Sequence, residues 1–181
     1  MIAPPTPPLA PSPILGPIPG PALGRWERRL VSFGGTNQRI VGSTEGRKTR
    51  GVGLAFERTD RYLTGRGWRG SFQFEGSYVR SLSDGEDYFG SGAQDGFQLL
   101  GGVRFSPGRS PLYLEILSGG LFTLQISHDL TSWANFAPTL GVGGRFGRFD
   151  VGVRFSHVSN ADTHLPNNGL NLVSLVLGAR F

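Results

Sequence analysis

Period-two alternation of apolar and polar residues recurs along most of this chain, and it restricts the fold more than any other feature. From Trp68 to Arg80, Trp68, Phe72, Phe74 and Tyr78 share one parity, while Arg69, Ser71, Gln73, Glu75 and Ser77 share the other. Residues two apart in a strand lie on one face. Each such segment therefore reads as a strand with one greasy face and one polar face. Eight segments carry the pattern after Arg25. In the first, near Arg29 to Gly35, Val31 and Phe33 are expected to face outward. The next, from Gly51 to Arg58, sets Val52, Leu54 and Phe56 against Gly53, Ala55 and Glu57, and Trp68 to Arg80 is the third. In the fourth, Phe97, Leu99, Val103 and Phe105 oppose Gln98 and Arg104; in the fifth, Leu112, Leu114, Ile116, Phe122, Leu124 and Ile126 oppose Tyr113, Glu115, Thr123 and Gln125. The sixth sets Phe136, Leu140, Val142 and Phe146 against Asn135, Thr139 and Arg145, and the seventh places Phe149, Val151, Val153 and Phe155 opposite Asp150, Gly152, Arg154 and Ser156. The eighth closes the chain with Val173, Leu175, Leu177, Ala179 and Phe181.

A soluble sandwich would have to press all these apolar faces into one small core, with 13 phenylalanines and three tryptophans among them. A membrane offers them an apolar solvent instead. Transmembrane strands need only about ten tilted residues, and eight is the smallest even strand count for such barrels. No window approaches the roughly 18 uninterrupted apolar residues of a spanning helix. The expected fold is all-β, an eight-stranded antiparallel up-and-down transmembrane β-barrel over residues 25–181. The polar parity holds Glu57, Arg69, Glu75, Arg104, Glu115, Arg145, Asp150, Arg154 and Arg180. A barrel this small fills its interior with side chains, so these mixed charges are expected to pair across the lumen.

Residues 1–24 form a separate region in which nine residues between Pro4 and Pro21 are proline. Such a stretch suits an extended tail rather than a strand or helix. It lacks the basic start and apolar run of a signal peptide, so a truncated or misassigned start, an export signal lying upstream or a processed chain is expected. The connections differ in length. Those near Gly147 and at Ser106–Ser110 are short, whereas those around Thr36–Arg50, Leu82–Asp95 and Ala161–Asn168 are long. Periplasmic turns are short and extracellular loops longer, which orients the seventh segment with its end at the outer leaflet. The terminal Phe181, at the end of an alternating strand, resembles the targeting signature of bacterial outer-membrane barrels.

Several function classes are set aside. The net charge of +5 comes from arginines scattered through alternating strands, not from the single basic patch expected of a nucleic-acid binder. There are no cysteines, hence no thiol nucleophile. His128, His157, His164 and Asp162 lack metal-ligand spacing, and Gly141-Val142-Gly143-Gly144 is not followed by a phosphate-loop lysine. No cofactor is expected.

The chemistry concentrates in Arg154-Phe155-Ser156-His157-Val158-Ser159-Asn160-Ala161 and in Pro166-Asn167-Asn168-Gly169-Leu170-Asn171. His157 and Ser159 continue the outward apolar parity of the seventh segment, and Asn171 has that of Val173 and Phe181. An ester hydrolase needs a hydroxyl, an imidazole to take its proton and a third group to orient the imidazole. These three residues supply that set. An asparagine can orient an imidazole through its carbonyl oxygen, although it brings no charge; Asp162 is an alternative third member.

The same residues, followed by a last strand ending in Phe181, resemble the C-terminal signature of the PagL-type lipid A 3-O-deacylases, most closely over about the last 50 residues. The resemblance implies an eight-stranded outer-membrane barrel that hydrolyses the ester-linked acyl chain at the 3-position of lipid A. It implies Ser159 as nucleophile, His157 as general base and Asn160 as a contributor to the oxyanion hole. The family's pattern carries glutamate at the position of Asn171, so this chain departs from it there. The partners implied are lipopolysaccharide and the surrounding outer-membrane lipids, and a homodimer is left open. The competing reading is an inactive or purely structural barrel. The polar His157 and Ser159 on a lipid-facing parity argue against it.

Overall fold

The computed structural model describes residues 24–37, 48–65, 67–82, 93–126, 130–165 and 169–181. The proline-rich tail, apart from Gly24, lies outside them, as do His128 and Pro166–Asn168. The strands are β1 (Trp26–Asn37), β2 (Lys48–Gly65), β3 (Trp68–Leu82), β4 (Ala93–Pro107), β5 (Leu112–Thr123), β6 (Ala134–Phe136), β7 (Thr139–Phe146), β8 (Phe149–Val158) and β9 (Leu170–Arg180). Each pairs antiparallel with its neighbours, and the pairings of β1 with β9 and of β4 with β5 close the sheet into a barrel.

Eight positions around the barrel accommodate nine strands because β6 and β7 share one. The lower part of β5 pairs with β7 and its upper part with β6. Between them stand Ala137 and Pro138. Proline has no N–H to give to a ladder, so the strand breaks there, at the same height as the upper end of β8.

Alternation has the expected consequence on most strands. Phe72, Phe74, Leu114, Ile116, Val151, Val153, Leu175 and Leu177 are exposed on the outer wall, while Glu75, Arg104, Glu115 and Arg154 are buried. Burying charge is tolerable only when it is paired and hydrogen-bonded, and the lumen meets that condition. Arg154 reaches both oxygens of Glu75 (3.0 and 2.9 Å) and Glu115 (2.6 Å). Arg104 bonds Glu115 at 2.8 Å, Glu57 at 3.2 Å and Asp150 at 3.3 Å, and its guanidinium stacks 3.8 Å from the Tyr113 ring. Arg145 bridges Glu57 and Asp150. Gly143 and Gly152 make the room that Tyr113 fills, since a Cβ on either would strike its hydroxyl.

One strand departs from the expectation. On β1 it is Leu30, Ser32 and Gly34 that face outward, and Val31 and Phe33 that face the interior, Val31 being wholly buried. The cause is Arg29. Its guanidinium lies 2.7 Å from Asp150 across the lumen, and a strand that puts Arg29 inside must put Val31 and Phe33 inside too. Arg29 was therefore missing from the expected interior set.

Short turns join β2 to β3, β4 to β5 and β7 to β8 at one end. In the turn from β7 to β8, Gly147 takes φ +60° between the paired Phe146 and Phe149, a conformation that costs glycine nothing. The long connections all lie at the other end, where β8 finishes and β9 begins.

Candidate active site

His157 is the last outward-facing position of β8 before the strand ends, and its cross-strand partner on β9 is Asn171. The pairing brings their side chains together: His157 Nδ1 and Asn171 Oδ1 are 2.8 Å apart. With a carbonyl oxygen opposite, Nδ1 carries the proton and donates it, which leaves the Nε2 lone pair as the basic site. Two residues lower on each strand, Phe155 faces Val173 on the same outer wall. The polar pair thus sits on top of an apolar strip.

Ser159 lies just beyond β8 and is nearly buried. Its backbone is fixed from the neighbouring position of the barrel. Ser159 N donates to Phe136 O at 3.0 Å, Phe136 N donates to Ser159 O at 2.7 Å, and His157 N donates to Pro138 O at 3.0 Å. The break at Pro138 thus leaves β6 free to grip Ser159 while the carbonyl of Pro138 takes the His157 amide. Gly169 closes the other side, with φ +65°; a Cβ there would lie 3.3 Å from His157 Cε1, 3.5 Å from Ser159 Cβ and 3.0 Å from Val158 O. The imidazole and the serine therefore border the same small space.

The side chain of Asn160 is occupied in holding the loop. Its Nδ2 donates to Thr131 Oγ1 at 2.9 Å and to His164 O at 2.7 Å, and Thr131 Oγ1 donates to His164 O at 3.1 Å. Thr163 N and Oγ1 both donate to Asn160 O. Thr131 did not stand out in the sequence, because nothing local links it to a loop some thirty residues on. Ala161 and Asp162 follow in the left-handed region, at φ 53° and 60°, which is unfavourable for residues bearing a Cβ. Asp162 is exposed in that turn, and the position beside Nδ1 that an orienting acid would take belongs to Asn171. Among the described residues no cluster of His, Asp or Glu could hold a metal ion.

Comparison with known proteins bears on the fold and the family. The solved structure described as the outer membrane enzyme PagL superposes with a TM-score of 0.71 at 18% identity, covering 83% of this chain and 98% of that one. Two structures of Ail from Yersinia pestis, one in a phospholipid bilayer nanodisc and one crystalline, give TM-scores of 0.47 and 0.49 at 16% and 13% identity. They cover 86% and 88% of this chain, and 99% and 100% of theirs. No curated protein sequence matches. The model of the family described as Lipid A 3-O-deacylase (PagL) matches residues 32–180, a span that takes in the barrel except the first half of β1, together with His157, Ser159 and Asn171, and the chain belongs to that family.

Proposed function

We propose that this protein is an outer-membrane serine esterase that removes the ester-linked acyl chain at the 3-position of lipid A. The observation that carries the reading is the 2.8 Å contact between His157 and Asn171 on the outward face beside Ser159. A lipid-facing wall gains nothing from a half-exposed histidine over a covered serine unless they meet a polar group presented by a lipid. In this reading the long connections lie at the outer leaflet, where the ester of lipid A rests at the height of His157 and its acyl chain runs down over Phe155 and Val173.

Ser159 Oγ gives its proton to His157 Nε2 as it attacks the ester carbonyl carbon. Charge gathers on the carbonyl oxygen, and in this reading the backbone N–H of Asn160, the residue after the nucleophile, donates to it. Collapse of this intermediate breaks the bond to the sugar oxygen, which leaves with the proton from the imidazolium. Water then repeats the cycle on the acyl-serine and releases the fatty acid. Asn171 keeps Nδ1 protonated throughout, so that Nε2 always faces the reaction.

The test is mass spectrometry of lipid A from cells expressing the chain. Loss of one 3-linked hydroxyacyl chain, absent with Ser159→Ala, is the expected result. Unchanged lipid A from a folded, membrane-inserted wild type would refute it.

A further inference from the structure

Away from His157, around the outer wall, a groove of about 480 Å³ runs beside Ser32, Gly34, Val52, Tyr78, Leu175 and Leu177. Its floor is low because β1 presents only Ser32 and Gly34 to the outside at this height. Register puts Leu175, Gly34, Arg50 and Arg80 in one row across four strands, with Leu177, Ser32, Val52 and Tyr78 in the row beneath. Two arginines therefore occupy directly opposed positions at the edge of an apolar trough.

Like charges directly opposite one another on paired strands destabilise the pair. Asp95 offsets this only in part: it lies 3.8 Å from Arg80 and also accepts the hydroxyl hydrogen of Tyr78. Among the described residues no carboxylate pairs with Arg50. A shared anion would relieve the repulsion, and guanidinium forks match phosphate oxygens in geometry as well as charge. The trough beneath suits an acyl chain attached to the same molecule.

Position narrows the choice of lipid. The arginines are at the same end of the barrel as the catalytic pair, four residues along β9 from Asn171 and two strands across for Arg50 or three for Arg80, a separation on the order of 15–20 Å. In a glycerophospholipid, phosphate and ester are only a few bonds apart. A sugar backbone bearing both phosphates and several acyl chains can span the distance.

We propose that Arg50 and Arg80 bind a phosphate of lipid A while one of its acyl chains lies in the groove over Gly34, forming a lipid site separate from the catalytic pair; the choice of lipid rests on the deacylase reading above. The probe is bisphosphorylated lipid A already lacking its 3-linked chain, which no 3-O-deacylase can turn over. Its affinity for the full chain in detergent micelles is compared with that of the same lipid stripped of phosphate and with phosphatidylglycerol. The wild type is expected to hold the bisphosphorylated lipid roughly tenfold more tightly than either. Arg50→Gln with Arg80→Gln removes the preference. Gly34→Leu weakens lipid A with and without phosphate alike; a Cβ there meets only Thr49 O at 3.9 Å, so the wall is undisturbed. Equal affinity of the wild type for the two forms of lipid A, equally tight phosphatidylglycerol, or a preference that survives the double substitution would each overturn the proposal. A wild type that shows the preference yet never releases an acyl chain counts against the hydrolase reading alone.

Discussion

Asn171 Oδ1 accepts the Nδ1 hydrogen of His157 at 2.8 Å, from the directly opposed position of the adjacent strand. Register alone thus does what a buried carboxylate does in the usual serine triad: it fixes the tautomer and the tilt of the ring. What the amide lacks is charge to stabilise the imidazolium.

Replacing it separates those two contributions. Asn171→Ala is expected to slow deacylation by about ten- to a hundredfold, because the ring is left free to turn. Asn171→Glu restores a carboxylate and is expected to raise the rate about tenfold, equivalent to 1.4 kcal/mol on the barrier, unless the longer side chain displaces the ring from the packing that holds it. Both are read from initial rates on detergent-dispersed lipid A.

Ser159→Ala and His157→Ala are each expected to lower the rate by at least about a thousandfold, since each removes a group that the proposed mechanism requires. The folded barrel should persist, as measured by its shifted mobility on unheated gels. Wild-type rates from Ser159→Ala would remove Ser159 from the mechanism.

Gly169→Ala tests the space between the two groups. The left-handed backbone costs an L-residue roughly 1–2 kcal/mol, and the new methyl would press on His157 Cε1 at 3.3 Å and Val158 O at 3.0 Å. Activity is expected to fall by about tenfold or more while thermal unfolding shifts little.

The interior makes a prediction of a different kind. Removing one member of a buried charge network strands the others, typically at a cost of about 3–5 kcal/mol. Arg154→Met leaves Glu75 and Glu115 without their shared cation, and urea unfolding in detergent should show a loss of that order. With the lumen filled in this way, the wild type should give no conductance steps in a planar bilayer.

Strand identity was legible in the sequence wherever bulky side chains alternate, because in a membrane the outward face must be apolar whatever the neighbouring strand does. It failed on β1. There Leu30 and Trp26 compete with Val31 and Phe33 for the outside, and only Asp150, more than a hundred residues away, decides the matter by needing Arg29. His157, Ser159 and Asn171, which the structure brings together, stand out in the sequence because a polar residue on a greasy parity is itself a signal. The supports of Ser159 gave none: Phe136 and Pro138 hold it by backbone atoms, and backbone hydrogen bonds leave no mark on residue type. The oxyanion role proposed for Asn160 comes from the family resemblance, whereas its amide bonds to Thr131 and His164 depend on how a loop folds back.

Because His157 faces outward at the rim of a filled cylinder, the deacylation proposed here takes place in two dimensions. Substrate arrives by sideways diffusion in the leaflet, and both products leave the same way. Its turnover is then governed by the surface density of lipid A and by the viscosity of its neighbours. Stiffening the leaflet should slow the protein without touching a single residue.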